Sequence, residues 1–206
     1  MRKLFKSVLS LMMIAGVCAG FAACGDDKDD GGTPENPKQQ SFPSEYRSAL
    51  SNYITIYDGA NPPKLEGTFV MSPDELVYTS DGAKDPGAIL SDYYVKFSNH
   101  DIANNTITYQ GMSKGGTADA GIGGMISGSG NNFTVFFYST TNYRGASDKR
   151  LTAFSGTLTS NGIKDLRWAW IVTEKSDDPD HLLPAEGVYR IFKDGDGLAE
   201  SAVWPN

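Results

Sequence analysis

The fold is decided by the stretch LTAFSGTLTSNGIKDLRWAWIVT, residues 151–173. Its two flanks, 151–160 and 165–173, are rich in the β-branched and aromatic side chains that are enriched in strands. Asn161-Gly162 stands between them, and this pair supplies the positive φ angles of a tight hairpin turn. The stretch therefore predicts two antiparallel strands joined by a short turn.

The same pattern of strand and turn recurs from residue 67 to the end of the chain. The predicted strands are 67–72, 75–80, 92–98, 105–112, 121–129, 133–140, 151–160, 165–173, 187–193 and 199–204, with 53–57 as a further candidate. The connections are too short for the crossover helices that parallel strands require. A large antiparallel sheet hides its edges by closing or doubling.

The predicted fold class is therefore all-β, an antiparallel up-and-down barrel of about 8–10 strands. A two-sheet β-sandwich is the alternative. One short N-terminal helix is predicted over 43–52, ahead of the strands. Glycines between 115 and 130 are expected to mark bulges and bends.

The N-terminus has the layout of a secretory signal peptide over residues 1–23. Arg2, Lys3 and Lys6 form a positive start, an apolar run follows over 8–17, and small residues lead to Ala23. The apolar run is shorter than the roughly 20 residues of a membrane span. An ordinary signal peptide cut near Ala23 is one interpretation of this leader.

Phe21-Ala22-Ala23-Cys24 resembles a bacterial lipobox. The resemblance implies cleavage just before Cys24 and attachment of diacylglycerol to its sulfur, so Cys24 is the predicted lipidation site. Cys18 is the competing candidate, but it follows the bulky Val17. Two or three acyl chains would hold the protein stably on a membrane, which a single chain does not.

The segment that follows, 24–41, carries an acidic cluster and then Gly and Pro. Such a composition buries little apolar surface, so the segment is predicted to be a flexible tether. A cysteine followed directly by acidic residues resembles the surface-export signal of Bacteroidales-type lipoproteins. The implied location is the outer membrane, lipid-anchored and facing the cell surface, and a periplasm-facing protein is the alternative.

Charge and cysteine content exclude several functional classes. The net charge is −7, and it becomes −10 once the three leader cations are removed. No run of Lys or Arg follows residue 6, so nucleic-acid binding is not expected. Cys24 is the only cysteine after the leader, which leaves none for a disulfide or a zinc site. No cofactor is predicted.

Three segments resemble lipocalin-like (calycin-like) surface lipoproteins of the Bacteroidales type. They are LEGTFVMSPDELVYTSDG at 65–82, ISGSGNNFTVFFYS at 126–139 and YRIFKDGDGL at 189–198. The resemblance implies a barrel that holds a ligand, and it carries no catalytic residues. The change of pattern near residue 42 predicts a single barrel domain over 42–206. The chain thus divides into a leader, a tether and one domain.

The candidate ligand-binding residues centre on Trp168 and Trp170, which share a face of their strand because they are two apart. Facing inward they belong to the core, whereas at a barrel mouth two indoles suit a glycan or a small apolar ligand. Arg167, Tyr94 and Tyr109 complete the predicted site.

Other chemical patterns are weak, and no catalytic or metal-binding residue is predicted. Residues 111–115 match G-x-S-x-G, but glycines follow instead of the helix that this motif needs. Residues 193–200 resemble a calcium loop only in part.

The predicted function is a cell-envelope binding module without catalysis. The alternatives are an accessory subunit of a surface complex and a carboxylate-based hydrolase.

Overall fold

The structure, a computed structural model, describes residues 42–114 and 116–205. The predicted signal peptide, the tether and the lipidation site Cys24 lie outside the described residues. Within the described part of the chain, no helix is long and apolar enough to cross a membrane.

The described residues form one short helix and twelve strands. Their bounds are α1 Ser44–Leu50, β1 Ala60–Asn61, β2 Gly67–Met71, β3 Asp74–Thr79, β4 Ile89–Leu90, β5 Tyr93–Asp101, β6 Thr106–Ser113, β7 Ala118–Ser129, β8 Asn132–Tyr143, β9 Ala146–Leu158, β10 Gly162–Lys175, β11 Tyr189–Asp194 and β12 Leu198–Ser201. The helix falls inside the predicted range 43–52.

The sheet closes on itself. Strands β5 to β10 lie side by side in chain order, each antiparallel to the next. β10 also pairs with β12, β12 with β2, and β2 with β5, which completes a ring of eight strands. The prediction of an all-β antiparallel fold with one short helix is confirmed, with a closed ring in place of a two-sheet sandwich.

The ring is uneven because β10 changes partners along its length. Its first residues, Gly162–Lys164, pair with β12. After an irregularity between Lys164 and Arg167, residues 167–171 pair with β11 instead. β11 continues the sheet to β3, and β3 to β4. The barrel therefore has a branch of three strands at one end.

The hairpin predicted from residues 151–173 is confirmed, with strands that extend further than the sequence pattern indicated. β9 and β10 pair from Ile163–Leu158 to Lys175–Asp148. Gly162 begins β10 with φ at +150°, and a side chain there would run into the backbone of Ala199 in β12. Glycine is thus required at this turn both for its backbone angle and for the close approach of β12.

The prediction of a strand at 53–57 is wrong. These residues follow α1 across the outer face of the sheet and join no ladder. Side-chain hydrogen bonds hold them there: Tyr57 N–H donates to Thr134 Oγ1 at 2.8 Å, and Ser127 Oγ donates to the Tyr57 carbonyl at 2.8 Å. Buried Leu50 and Ile54 pack in the same outer cluster. Side-chain hydroxyls of the sheet therefore hydrogen-bond to the backbone of this segment, although its apolar residues had predicted a strand.

Aromatic side chains pack together inside the ring. Members of this cluster are Phe69, Tyr93, Phe97, Tyr109, Phe133, Phe137, Phe154, Trp168, Trp170 and Phe192. The Phe154 ring lies 5.3 Å from Phe97 and 5.0 Å from Tyr109, both at steep angles. Edge-to-face pairs of this kind add to the stability from burial, so this cluster is a packed core.

Glycines in β7 make room for these rings, and the pairing of β7 is irregular within the glycine-rich range where the sequence predicted bulges. A register shift lies between Gly121 and Met125. At Gly124 an added Cβ would fall inside the ring of Phe137, which is fully buried on the neighbouring strand. Gly124 is therefore fixed by the close approach of an aromatic ring to the backbone of β7.

We predict that Gly124→Ala lowers the free energy of unfolding by about 1–3 kcal/mol, because the new methyl overpacks the Phe137 ring. Urea denaturation measures this change. Ile122→Ala, on the same strand and 83% exposed, is the control and is expected to change stability by less than about 0.5 kcal/mol. Equal stability of the two variants would show that Phe137 does not pack on β7.

Candidate functional site

A cavity of about 230 Å³ opens at the end of the ring where β8 turns into β9 and β10 leads to β11. Trp168 and Phe192 form its inner wall, and Trp170, Arg150 and Arg190 lie along one side. The loop residues Leu182 and Leu183 line it from the β10–β11 connection. We call this cavity the mouth pocket.

Trp170 lies between two guanidinium groups. Arg190 on β11 is directly opposite Trp170, whereas Arg150 on β9 is diagonal to it on the same face. The guanidinium carbon of Arg150 is 4.2 Å from the centre of the indole ring, and that of Arg190 is 5.3 Å from it. Both distances are within the range of cation–π attraction. The two cations are therefore held at the pocket by the indole.

Each arginine is also oriented by a carboxylate. Arg150 donates from Nε and Nη2 to the two oxygens of Asp148 at 2.6 and 2.7 Å, and this pair is buried. Arg190 donates from Nη2 to Asp81 at 3.2 Å and from Nε to Thr79 Oγ1 at 3.3 Å. Neither Nη1 group donates to any described residue. Each guanidinium thus keeps unused N–H donors in a fixed orientation.

Among the described residues, Asp74 is the only acid that lines the mouth pocket, and it is 2% exposed. Trp168 Nε1 donates a hydrogen bond to its carboxylate at 3.1 Å. Burial raises the pKa of Asp74 to about 7, which the Trp168 hydrogen bond opposes and the nearby Asp194 reinforces. This carboxyl therefore changes its charge near neutral pH.

Beneath the pocket, two tyrosines share one carboxylate inside the ring. Tyr93 and Tyr109 each donate a hydroxyl hydrogen bond of 2.9 Å to Asp119. Burial raises the pKa of Asp119 although both hydrogen bonds work to lower it. Burial also raises the pKa of each tyrosine well above its ordinary value. The aromatic cluster therefore holds one buried carboxylate, whose hydrogen bonds come from two of its own tyrosines.

Among the predicted site residues, the structure brings Trp168 and Trp170 together at the mouth pocket. They share a face, as the sequence predicted, and that face points inward. The Trp168 ring stacks 4.1 Å from Tyr93 and 4.6 Å from Phe192. With exposed fractions of 6% and 4%, the two tryptophans belong to the core and line the pocket at once.

The other three predicted residues do not line the mouth pocket. Tyr109 is fully buried inside the ring, and Tyr94 is half-buried on β5, next to the inward-facing Tyr93. Arg167 donates to the Tyr53 carbonyl at 2.8 Å and lines a second cleft, of about 260 Å³. A part for these residues in ligand binding stays a prediction.

Sequence reasoning missed Arg150, Arg190 and Asp74. Arg190 stands two residues before the inward-facing Phe192, so strand alternation places it on the same face. A charged residue on an otherwise apolar face was the available signal. Asp74 lies between the predicted strands 67–72 and 75–80, whereas in the structure it is the first residue of β3.

The loop at 194–197 is held by its own aspartate. Asp194 accepts hydrogen bonds from the backbone N–H groups of Gly197, Leu198 and Ser72. Across the described residues, no group of three or more His, Cys, Asp or Glu is placed to hold a metal ion. The motif at 111–115 begins at the end of strand β6, and at Ser113 the chain is strand instead of the sharp turn of a nucleophile elbow.

Comparison with known proteins finds no matching family model, no matching curated protein and no matching solved structure. The fold itself is an antiparallel sheet with a ring of eight strands, loosely consistent with barrel-like folds.

We predict that Asp74→Asn becomes more stable relative to the parent as the pH rises from about 4 to 8. The folded state holds the Asp74 proton up to a pKa of about 7, whereas the unfolded state releases it near 4. The parent therefore loses stability across this window, by on the order of 2–4 kcal/mol. Asparagine does not titrate and keeps an oxygen that accepts the Trp168 hydrogen bond.

Urea unfolding at pH 4.5, 6 and 8 measures the difference. Asp81→Asn is the control: burial works to raise the pKa of Asp81, but hydrogen bonds from Thr79 and the Ala83 backbone and the charge of Arg190 lower it overall. Asp81 therefore titrates below about pH 4 in both the folded and the unfolded state, so the stability gap between Asp81→Asn and the parent should stay constant from pH 4.5 to 8. A gap between Asp74→Asn and the parent that does not vary with pH would contradict the account.

Proposed function

We propose that the protein is a binding module that holds a small ligand, a glycan or a small apolar molecule, in the mouth pocket. The observation that carries this proposal is the convergence of Arg150, Arg190 and Trp170 on one cavity at the end of a closed ring. Ligand sites commonly combine an apolar lining with a few fixed polar groups at the mouth of a barrel.

The volume of the pocket supports a small ligand. At about 230 Å³, it is below the range of roughly 300–1,000 Å³ that is typical for drug-sized molecules. It corresponds to about seven or eight molecules of liquid water. One sugar ring, or an organic molecule of similar size, matches this space better than a long lipid or an oligosaccharide.

The lining supports hydrogen bonding combined with contact to aliphatic side chains. The guanidinium groups cover Trp170, and Trp168 is covered by other rings, so neither indole offers an open face for stacking. Donors come from the arginines and the hydroxyl of Tyr143, and apolar surface comes from Leu182 and Leu183. A ligand would therefore present hydrogen-bond acceptors to one side of the pocket and carbon to the other.

Two alternatives receive less support from the described residues. An accessory subunit would bury a large apolar patch, but the large exposed hydrophobics are spread over separate elements. They are Ile89, Ile102, Ile122, Tyr138 and Val203. A glycoside hydrolase would need two facing carboxyl groups, and Asp74 is the only acid that lines the mouth pocket.

We further propose that the chain is an outer-membrane lipoprotein of the lipocalin-like type, anchored through Cys24 and facing the cell surface, with a periplasmic orientation as the alternative. Support comes from the leader, the lipobox-like residues and the acidic segment that follows. An acidic tether would hold the domain away from the membrane by charge repulsion. The barrel-like ring agrees with this proposal.

Thermal-shift screening of the purified chain against monosaccharides and small amphiphiles tests the binding proposal. We predict at least one ligand that raises the melting temperature of the parent and not that of Ser91→Trp, because the indole would fill the mouth pocket that Ser91 lines. Ser160→Trp, in the exposed β9–β10 turn, is the matched control and should retain the shift. Shifts that both variants retain would place binding elsewhere.

The anchor is tested by metabolic labelling with a fatty acid and by membrane fractionation. We predict that Cys24→Ala loses the label and appears in the soluble fraction, because the acylated sulfur is missing. Cys18→Ala, the other cysteine in the chain, should keep both the label and the membrane association. A labelled, membrane-bound Cys24→Ala protein would refute lipidation at this residue.

A further inference from the structure

We infer that the ligand of the mouth pocket is a small organic carboxylate, whose charged head is held between Arg150 and Arg190 and whose carbon body contacts Leu182 and Leu183. This inference rests on the proposed function, because it names the chemical class of ligand for the same pocket. It follows from the donors that the two arginines leave unused, from their positions around Trp170 and from the composition of the opposite wall.

The two guanidinium groups are arranged alike. Each donates hydrogen bonds from Nε and Nη2 to nearby side chains. Arg150 donates to Asp148, and Arg190 donates to Thr79 and Asp81. Each leaves Nη1 without a hydrogen bond to any described residue. They flank one indole from the strands on either side of β10, and both side chains line the same cavity. Two donors on either side of a space match the two oxygens of a carboxylate.

The side chains are fixed before any ligand arrives. Arg150 is nearly buried and Asp148 fully so, and Arg190 is 19% exposed beside Asp81. Preorganised donors lose little conformational entropy on binding. Hydrogen bonds between ionised groups are about twice as strong as those between neutral groups. An arginine also stays charged at every physiological pH, so a carboxylate is favoured over a neutral acceptor of the same shape.

The charge around the pocket is compatible with an anion. Asp148 and Asp81 neutralise the two arginines, so selection depends on short-range donors and not on a broad positive field. Asp74, the only acid in the lining, carries its proton below a pKa of about 7. It therefore repels an incoming anion only partly at neutral pH.

The rest of the mouth pocket's lining suits the apolar part of an organic ligand. Leu90, Leu182, Leu183 and Pro184 line the cavity together with the edges of the aromatic core. A polysaccharide would leave these side chains against hydroxyl groups, and a bare inorganic anion would leave them without contact. A single carboxylate on a compact apolar body satisfies both sides of the pocket.

Isothermal titration of the full chain with phenylacetate and with its neutral isostere phenylacetamide tests this inference. Phenylacetate should bind, and phenylacetamide should bind more weakly by about tenfold or more, as expected for loss of a charge-assisted hydrogen bond. Arg190→Gln should reduce phenylacetate affinity by a similar factor. Lys193→Gln removes a cation of the same strand that does not line the pocket and pairs with Glu75, and it should bind phenylacetate as the parent does.

The outcomes separate this inference from the proposed function. Equal binding of the acid and the amide, both lost in Ser91→Trp, would overturn the carboxylate preference and leave the pocket as a ligand site. Loss of phenylacetate affinity in Lys193→Gln and not in Arg190→Gln would place the anion elsewhere and overturn the inference. If inorganic phosphate binds as well as phenylacetate, contact with Leu182 and Leu183 plays no part in binding, and the inference of an organic carboxylate is overturned. If neither these probes nor the ligands of the wider screen show binding that Ser91→Trp abolishes, both the inference and the proposed function are overturned.

Discussion

The structure depends on the stack of Trp168 against Tyr93, whose rings lie 4.1 Å apart and within 7° of parallel. The stack joins β10 to β5 across the interior of the ring. Each of the two rings also donates a hydrogen bond to a further strand. Trp168 Nε1 donates to Asp74 on β3, and the Tyr93 hydroxyl donates to Asp119 on β7. One aromatic contact thereby ties four strands together.

The mouth pocket follows from where β10 changes partners. The irregularity between Lys164 and Arg167 turns the rest of β10 towards β11, and this places Arg190 opposite Trp170. Without that switch β10 would continue beside β12, and no arginine would flank the indole on this side. The uneven ring and the position of Arg190 beside the indole are therefore consequences of one change in strand pairing.

Strand positions and shared faces were predictable because alternation is a local property. It put Trp168 and Trp170 on one face, and Asn161-Gly162 fixed the hairpin that carries them. Non-local contacts were not predictable: hydroxyls on the sheet hold residues 53–57 as irregular chain, and Arg150 reaches Trp170 only through the register of β9 with β10. The signal for Arg190 was present, since a charge two residues from inward-facing Phe192 needs a reason. The ionisation of Asp74 depends on burial, which a turn-like sequence does not reveal.

The central claim is that the Trp168 stack closes the interior beneath the mouth pocket. Hydrogen exchange of the three indole N–H groups, followed by NMR, tests it most directly. Donation to buried Asp74 predicts that the Trp168 Nε1–H exchanges far more slowly than that of half-exposed Trp204, with nuclear Overhauser contacts between the Trp168 and Tyr93 rings. Exchange of Trp168 as fast as that of Trp204, without those contacts, would contradict the account.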